Sequence, residues 1–73
     1  MNAVRRRPVT SSAVASVGYD AVSSQLEVEF VDGDVYRYSL VPRWRVEELL
    51  AADSIGSYVN REIKSRYPGV QVG

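Results

Sequence analysis

Leu26, Val28 and Phe30 alternate with Glu27 and Glu29 in strict period two, the pattern of a strand with one face on a core and one face in water. After Asp32-Gly33-Asp34 a second alternation puts Tyr36, Tyr38 and Leu40 on one side and Arg37 and Ser39 on the other. The two runs predict a hairpin, and its register follows from keeping both apolar sets on one face. Phe30 opposite Tyr36 also pairs Val28 with Tyr38 and Leu26 with Leu40, and it sets Glu29 against Arg37 on the wet face. That pairing calls for a three-residue type of turn over Asp32 to Asp34, with Gly33 at positive φ and a bulge. A two-residue Asp-Gly loop would bury Arg37 instead.

Upstream, small and β-branched residues from Ala13 to Tyr19 predict a first strand, with Val17 and Tyr19 on one face and Gly18 as a bulge or close backbone approach. Asp20 to Ser24 reads as a turn. Downstream, Val41-Pro42 ends the sheet and opens a helix with Pro42 at its first position. Val46, Leu49 and Leu50 recur there at helical spacing. Asp53-Ser54 breaks the run and caps a second helix, in which Ile55, Tyr58, Val59, Ile63 and Tyr67 share a stripe until Pro68-Gly69 stops it. The expected architecture is α+β, a three-stranded antiparallel meander followed by two helices packed on one face. Residues 1–10 read as a flexible basic arm, 11–67 as a single domain and 68–73 as a C-terminal tail. The predicted core holds Leu26, Val28, Phe30, Tyr36, Tyr38, Leu49, Leu50, Tyr58 and Ile63.

Seventy-three residues suffice for one small core. Cysteine and histidine are absent, which removes disulfides, thiolate and imidazole chemistry, and the usual zinc sites. No nucleophile elbow, Walker loop or dinucleotide turn is present. Asp32 and Asp34 lack the further oxygen ligands of a calcium loop and read as turn residues. The expectation is a chain without catalytic residues, metal or cofactor. No apolar run approaches ~20 residues, so no membrane association is expected. Ser11, Ser12 and Ser16 interrupt any signal-peptide core after Arg5, Arg6 and Arg7, which points to a cytoplasmic location.

Nine basic and nine acidic residues cancel, but they are segregated along the chain. The first seven residues carry three arginines and no acid, Asp20 to Asp53 carries eight acids against three arginines, and Arg61 to Arg66 is again basic. Arg5, Arg6, Arg7, Arg61, Lys64 and Arg66 are therefore the candidate nucleic-acid contacts. A solvated helix face and a loose tail are the alternative. Tyr36 and Tyr38 are candidates for base stacking, but their shared face with Leu26 and Val28 assigns them to the core. Ser54, Gly56 and Ser57 offer an anion site at a helix start, or a cap with a small residue for packing. Trp44, flanked by Arg43 and Arg45, is a candidate partner contact or a cover for the sheet edge.

Taken in order, Pro8-Val9, Ser11-Ser12, Val17-Gly18-Tyr19-Asp20, Leu26 to Phe30, Gly33, Tyr36-Arg37-Tyr38, Val41-Pro42, Leu49-Leu50, Ser54-Ile55-Gly56-Ser57-Tyr58, Asn60, Ile63-Lys64 and Tyr67 resemble the KTSC domain. That domain occurs at the C-terminus of some lysyl-tRNA synthetases and as a free-standing small bacterial protein. The resemblance covers residues 8 to 67, makes residues 11–67 a KTSC-like domain, and has the Tyr-x-Tyr of Tyr36 and Tyr38 as its hallmark. The sequence departs from it at Arg45-Val46, where a small apolar residue followed by an aromatic is expected. The resemblance implies a small noncatalytic binding module, with RNA suggested through the synthetase association. A second expectation, of another class, is a protein-interaction module or weak homodimer using Trp44 and a sheet edge.

Overall fold

The computed structural model of the chain describes residues 4–73, so the part of the expected arm in residues 1–3 lies outside the described residues. The elements run β1 (Arg6–Pro8), β2 (Val14–Asp20), β3 (Gln25–Phe30), β4 (Val35–Tyr38), α1 (Arg43–Ala51), α2 (Ile55–Tyr58) and β5 (Gly69–Gln71), with α2 continuing as a π-helix over Val59–Ile63. All five strands form one antiparallel sheet in chain order. The expected three-stranded meander is its centre. Segments read as arm and tail add a short strand to each edge, because the outer strands need only backbone pairing and carry no apolar alternation.

The central hairpin keeps the predicted faces but slips by two residues. Val28 faces Tyr36, Leu26 faces Tyr38, and Glu27 faces Arg37. The Phe30 amide donates to the Asp34 carbonyl at 2.8 Å and the Gly33 amide to Phe30 at 2.9 Å. The turn therefore spans Val31 to Gly33, with Gly33 at φ +99. A shift of two preserves which side each residue faces, so the apolar alternation is compatible with either register. In the observed register Tyr38 covers Leu26, and Leu40 falls outside the strand at φ +64, with 74% of its surface in water. This corrects the expectation that Leu40 packs inward.

One face of the sheet carries the core. Val14, Val17, Leu26, Val28 and Tyr38 pack with Val46, Leu49, Ile55, Tyr58, Val59 and Ile63 from the helices. Val14 and Val17 share this face, although strict alternation would oppose them. The register passes from Val14↔Phe30 to Ser16↔Glu29, so Ala15 is the extra residue of a bulge that turns Val14 inward. A fully buried Leu26 or Leu49 contributes about 1.5–3 kcal/mol of transfer free energy. Phe30 and Tyr36 only border the core, and Leu50 is exposed on the flank of α1, which corrects their expected burial. Pro42 is the residue before the helix, with φ −73 and ψ 155, and Arg43 is the first helical one.

The other face has no helix over it, yet it buries a carboxylate. Arg6, Gly18, Glu27, Arg37 and Val70 form one row across all five strands. Glu27 accepts from Arg6 at 2.6 Å through Oε1 and from Arg37 at 3.1 and 2.7 Å through Oε2. Gly18 lies between Arg6 and Glu27 and has no side chain. A Cβ there would stand 2.4 Å from the Arg5 carbonyl oxygen, so glycine is what lets β1 close on the sheet. The aliphatic stems of the two arginines take the place of a covering layer.

Candidate functional site

Alternation along β1 divides its arginines between the two sides of the sheet. Arg6 is opposite Gly18 and is committed to Glu27, whereas Arg7 is opposite Val17 and shares the helix-bearing face, as does Arg5. Arg5 to Arg7 form one wall of a cleft of about 640 Å³. Its floor is Val17 and Tyr19, and its far wall is Arg43, Val46 and Leu50 of α1. The Tyr19 hydroxyl donates to the Val41 carbonyl at 2.6 Å, so its ring lines the floor with its polar end already satisfied. No acidic residue lines this cleft, and none stands in the first turn of α1. Among the described residues no carboxylate pairs with Arg5, Arg7 or Arg43. The site is thus a concave, cationic surface with an apolar side, suited to anions that carry an apolar part.

The remaining basic candidates lie elsewhere. Lys64 places its ammonium 5.4 Å from the centre of the Phe30 ring. It lines a second, shallower hollow with Asp32, Asp34 and Tyr36, and none of the β1 arginines reaches that hollow. Arg66 donates to Glu62 at 2.7 Å, while Arg61 is exposed and its carbonyl accepts from Ser65. The structure therefore joins Arg5, Arg6 and Arg7 to Arg43 and not to Arg61, Lys64 or Arg66.

Tyr38 is buried, and Tyr36 stacks on it with ring centres 6.3 Å apart while meeting Phe30 edge-on. Burial pushes the Tyr38 phenol above the usual tyrosine range. The pair belongs to the packing beneath the helices. At the start of α2 the Ser54 hydroxyl accepts from the Ser57 amide at 3.3 Å, so the chain caps its own helix. A Cβ on Gly56 would lie 2.9 Å from the Ala13 Cβ, so this glycine is required for helix α2 to approach the sheet. Asp32 accepts from the Asp34 amide at 3.0 Å, as a turn residue does.

Trp44 is 53% exposed. The guanidinium of Arg45 lies over its ring at 4.3 Å. From there Arg45 reaches the hydroxyls of Tyr67 and Tyr58 at 3.2 and 3.4 Å and Glu62 at 3.2 Å. Tyr58 in turn donates to Glu48 at 2.7 Å. Burial, followed by this bond to Glu48, pushes the Tyr58 phenol up, against the opposing pull of Arg45. Arg45 thus fastens α1 to α2, to the π-helix and to the segment after it, through four partners on four parts of the chain.

Two residues of functional interest escape a reading by sequence alone. Arg43 reaches the β1 arginines only in the fold, and Arg45 stands where an apolar residue is expected. The split of Arg5 and Arg7 from Arg6 becomes visible once residues 6–8 are known to be a strand. Among the described residues no helix is long and apolar enough to cross a membrane, and no three metal-ligating side chains come together.

The KTSC domain profile matches residues 10–67. An uncharacterized protein of Stutzerimonas stutzeri strain A1501 is 42% identical over 64 residues, which cover 88% of this chain and 90% of that one. A protein of Tsukamurella paurometabola is 41% identical over 64 residues, covering 88% of this chain and 96% of its own. The crystal structure of a KTSC domain protein from Yersinia pestis superposes with a TM-score of 0.89 at 33% identity, over 97% of this chain and 100% of that one.

Proposed function

The chain belongs to the KTSC family, and within it we propose that this protein is a small noncatalytic module that binds RNA through the cleft between β1 and α1. The observation that supports this reading is the convergence of Arg5, Arg7 and Arg43 on one acid-free cleft in a chain of zero net charge. Guanidinium groups recognise phosphate oxygens through paired N–H donors and keep their charge at every physiological pH. Val46 and Leu50 add an apolar wall for the sugar or base. Arg61, Lys64 and Arg66 contribute less, because Arg66 is already paired and Lys64 already lies against Phe30.

Fluorescence anisotropy with a labelled single-stranded RNA across a salt series tests the proposal. Three phosphate contacts give a slope of log K against log salt of about −2, and each of Arg5→Ala, Arg7→Ala and Arg43→Ala removes about 0.7 of it. The absence of binding at low salt, or a slope unmoved in the triple variant, overturns it.

A further inference from the structure

Resting on that reading of the cleft, we propose that the ligand it selects is a terminal phosphomonoester on a nucleotide, in preference to the internal diesters of an RNA chain. Three features point this way. The cleft of about 640 Å³ is within the size range of pockets that enclose a single small ligand. Its uncommitted arginines come from both walls, Arg7 from β1, Arg5 from the residue before it and Arg43 from α1, so they surround one place and are not strung along a track. Arg6, which also borders the cleft, commits its guanidinium to Glu27 on the opposite face. A phosphomonoester presents three terminal oxygens and a charge of about −1.5 to −2 at pH 7. An internal diester presents two free oxygens and a single charge, leaving one guanidinium without its counterpart.

The apolar half of the cleft defines the rest of the ligand. Leu50 is 53% exposed, and Val46 and Tyr19 line the cleft with it. An inorganic phosphate would leave that wall wet. A nucleotide lays its ribose and base against it while the phosphate meets the arginines. The same chemistry is offered by a free mononucleotide and by the phosphorylated end of an oligonucleotide.

The experiment compares two 3′-labelled uridine decamers, one with a 5′-phosphate and one with a 5′-hydroxyl, at fixed salt. Uridine 5′-monophosphate and inorganic phosphate serve as competitors. The phosphorylated decamer is expected to bind about tenfold more tightly at pH 7.5. The preference shrinks toward pH 5.5, because the monoester dianion takes up one proton near pH 6 and becomes a monoanion while the arginines stay charged. Arg7→Lys and Arg43→Lys keep the charge but not the fork, and they reduce the preference while circular dichroism reports an unchanged fold. Displacement by the monophosphate identifies the free nucleotide as a sufficient ligand, and displacement by neither competitor identifies the RNA end as the ligand. Equal binding of the two decamers overturns end selection and leaves backbone binding standing. Binding of neither decamer, together with no binding of the monophosphate, overturns both.

Discussion

Glu27 and Arg37 face one another across β3 and β4, and two nitrogens of the guanidinium reach the same carboxylate oxygen at 3.1 and 2.7 Å. Arg6 holds the other oxygen at 2.6 Å, so a carboxylate with 4% of its side chain exposed is satisfied from both sides. Replacing Glu27 by alanine leaves two arginines crowded without their anion. Both keep about a third of their side chains in water, which lowers the cost below that of a fully buried pair. The expected loss is about 2–3 kcal/mol, read as a lower urea midpoint with an unchanged slope. Arg37→Ala, which leaves Glu27 paired with Arg6, should cost less.

Gly18→Ala drives a methyl into the carbonyl of Arg5 at 2.4 Å, and backbone has little room to yield. β1 must lift from β2, at about 1–3 kcal/mol. Thermal denaturation would show the loss, and faster amide exchange confined to residues 6, 7 and 16–18 would locate it.

Arg45→Ala removes the cover from Trp44, the one tryptophan of the chain, leaves the Tyr58 and Tyr67 hydroxyls without their donor, and leaves Glu62 with Arg66 alone. A red-shifted emission maximum is expected, with a stability loss of about 1–3 kcal/mol. Arg45→Lys keeps a charge but has no planar fork to bridge both phenols, so it should restore only part of the stability.

Alkaline pH acts through Tyr38 and Tyr58, both raised above the ordinary tyrosine value by burial. The folded chain holds these two protons more tightly than the unfolded chain. Their contribution is therefore fully present below about pH 10 and is lost as pH rises through the raised values. Urea midpoints should be level on this account up to about pH 10 and fall above it, with the last tyrosine absorbance change at 295 nm coinciding with unfolding. At the acid end, Asp20 is lowered by its bonds to Ser23 and the Val22 amide. Its contribution is present above about pH 4 and disappears as pH falls through the depressed value.

The strands and helices that border the core were legible because each has to hide one side. Leu26 and Val28, or Ile55, Tyr58, Val59 and Ile63, repeat at the period of their element and are buried as a set. Arg6–Pro8 and Gly69–Gln71 are exposed on both faces, so no such constraint marks them. The hairpin slip escaped for a related reason: a displacement of two residues costs the alternation nothing, and the choice is made by how Tyr38 fits over Leu26. Of the cleft, three cationic residues were visible in the chain as Arg5-Arg6-Arg7. Their partner Arg43 follows only from the packing of α1 beside the sheet edge, and the separate destinations of Arg6 and Arg7 follow only from β1 being a strand.

The π-helix at Val59–Ile63, where the Lys64 amide bonds to the Val59 carbonyl across five residues, has a consequence for comparing relatives. A π turn carries one residue more than an α turn over nearly the same rise. A family member that closes this helix regularly spans Tyr58 to Tyr67 with one residue fewer, and the gap in its alignment belongs within 59–63, not in the loop that follows. Deleting a single residue there from this chain would close the π turn into a regular α turn and keep Tyr67 beside Arg45, whereas the same deletion in a regular helix would rotate everything after it by roughly 100° about the helix axis.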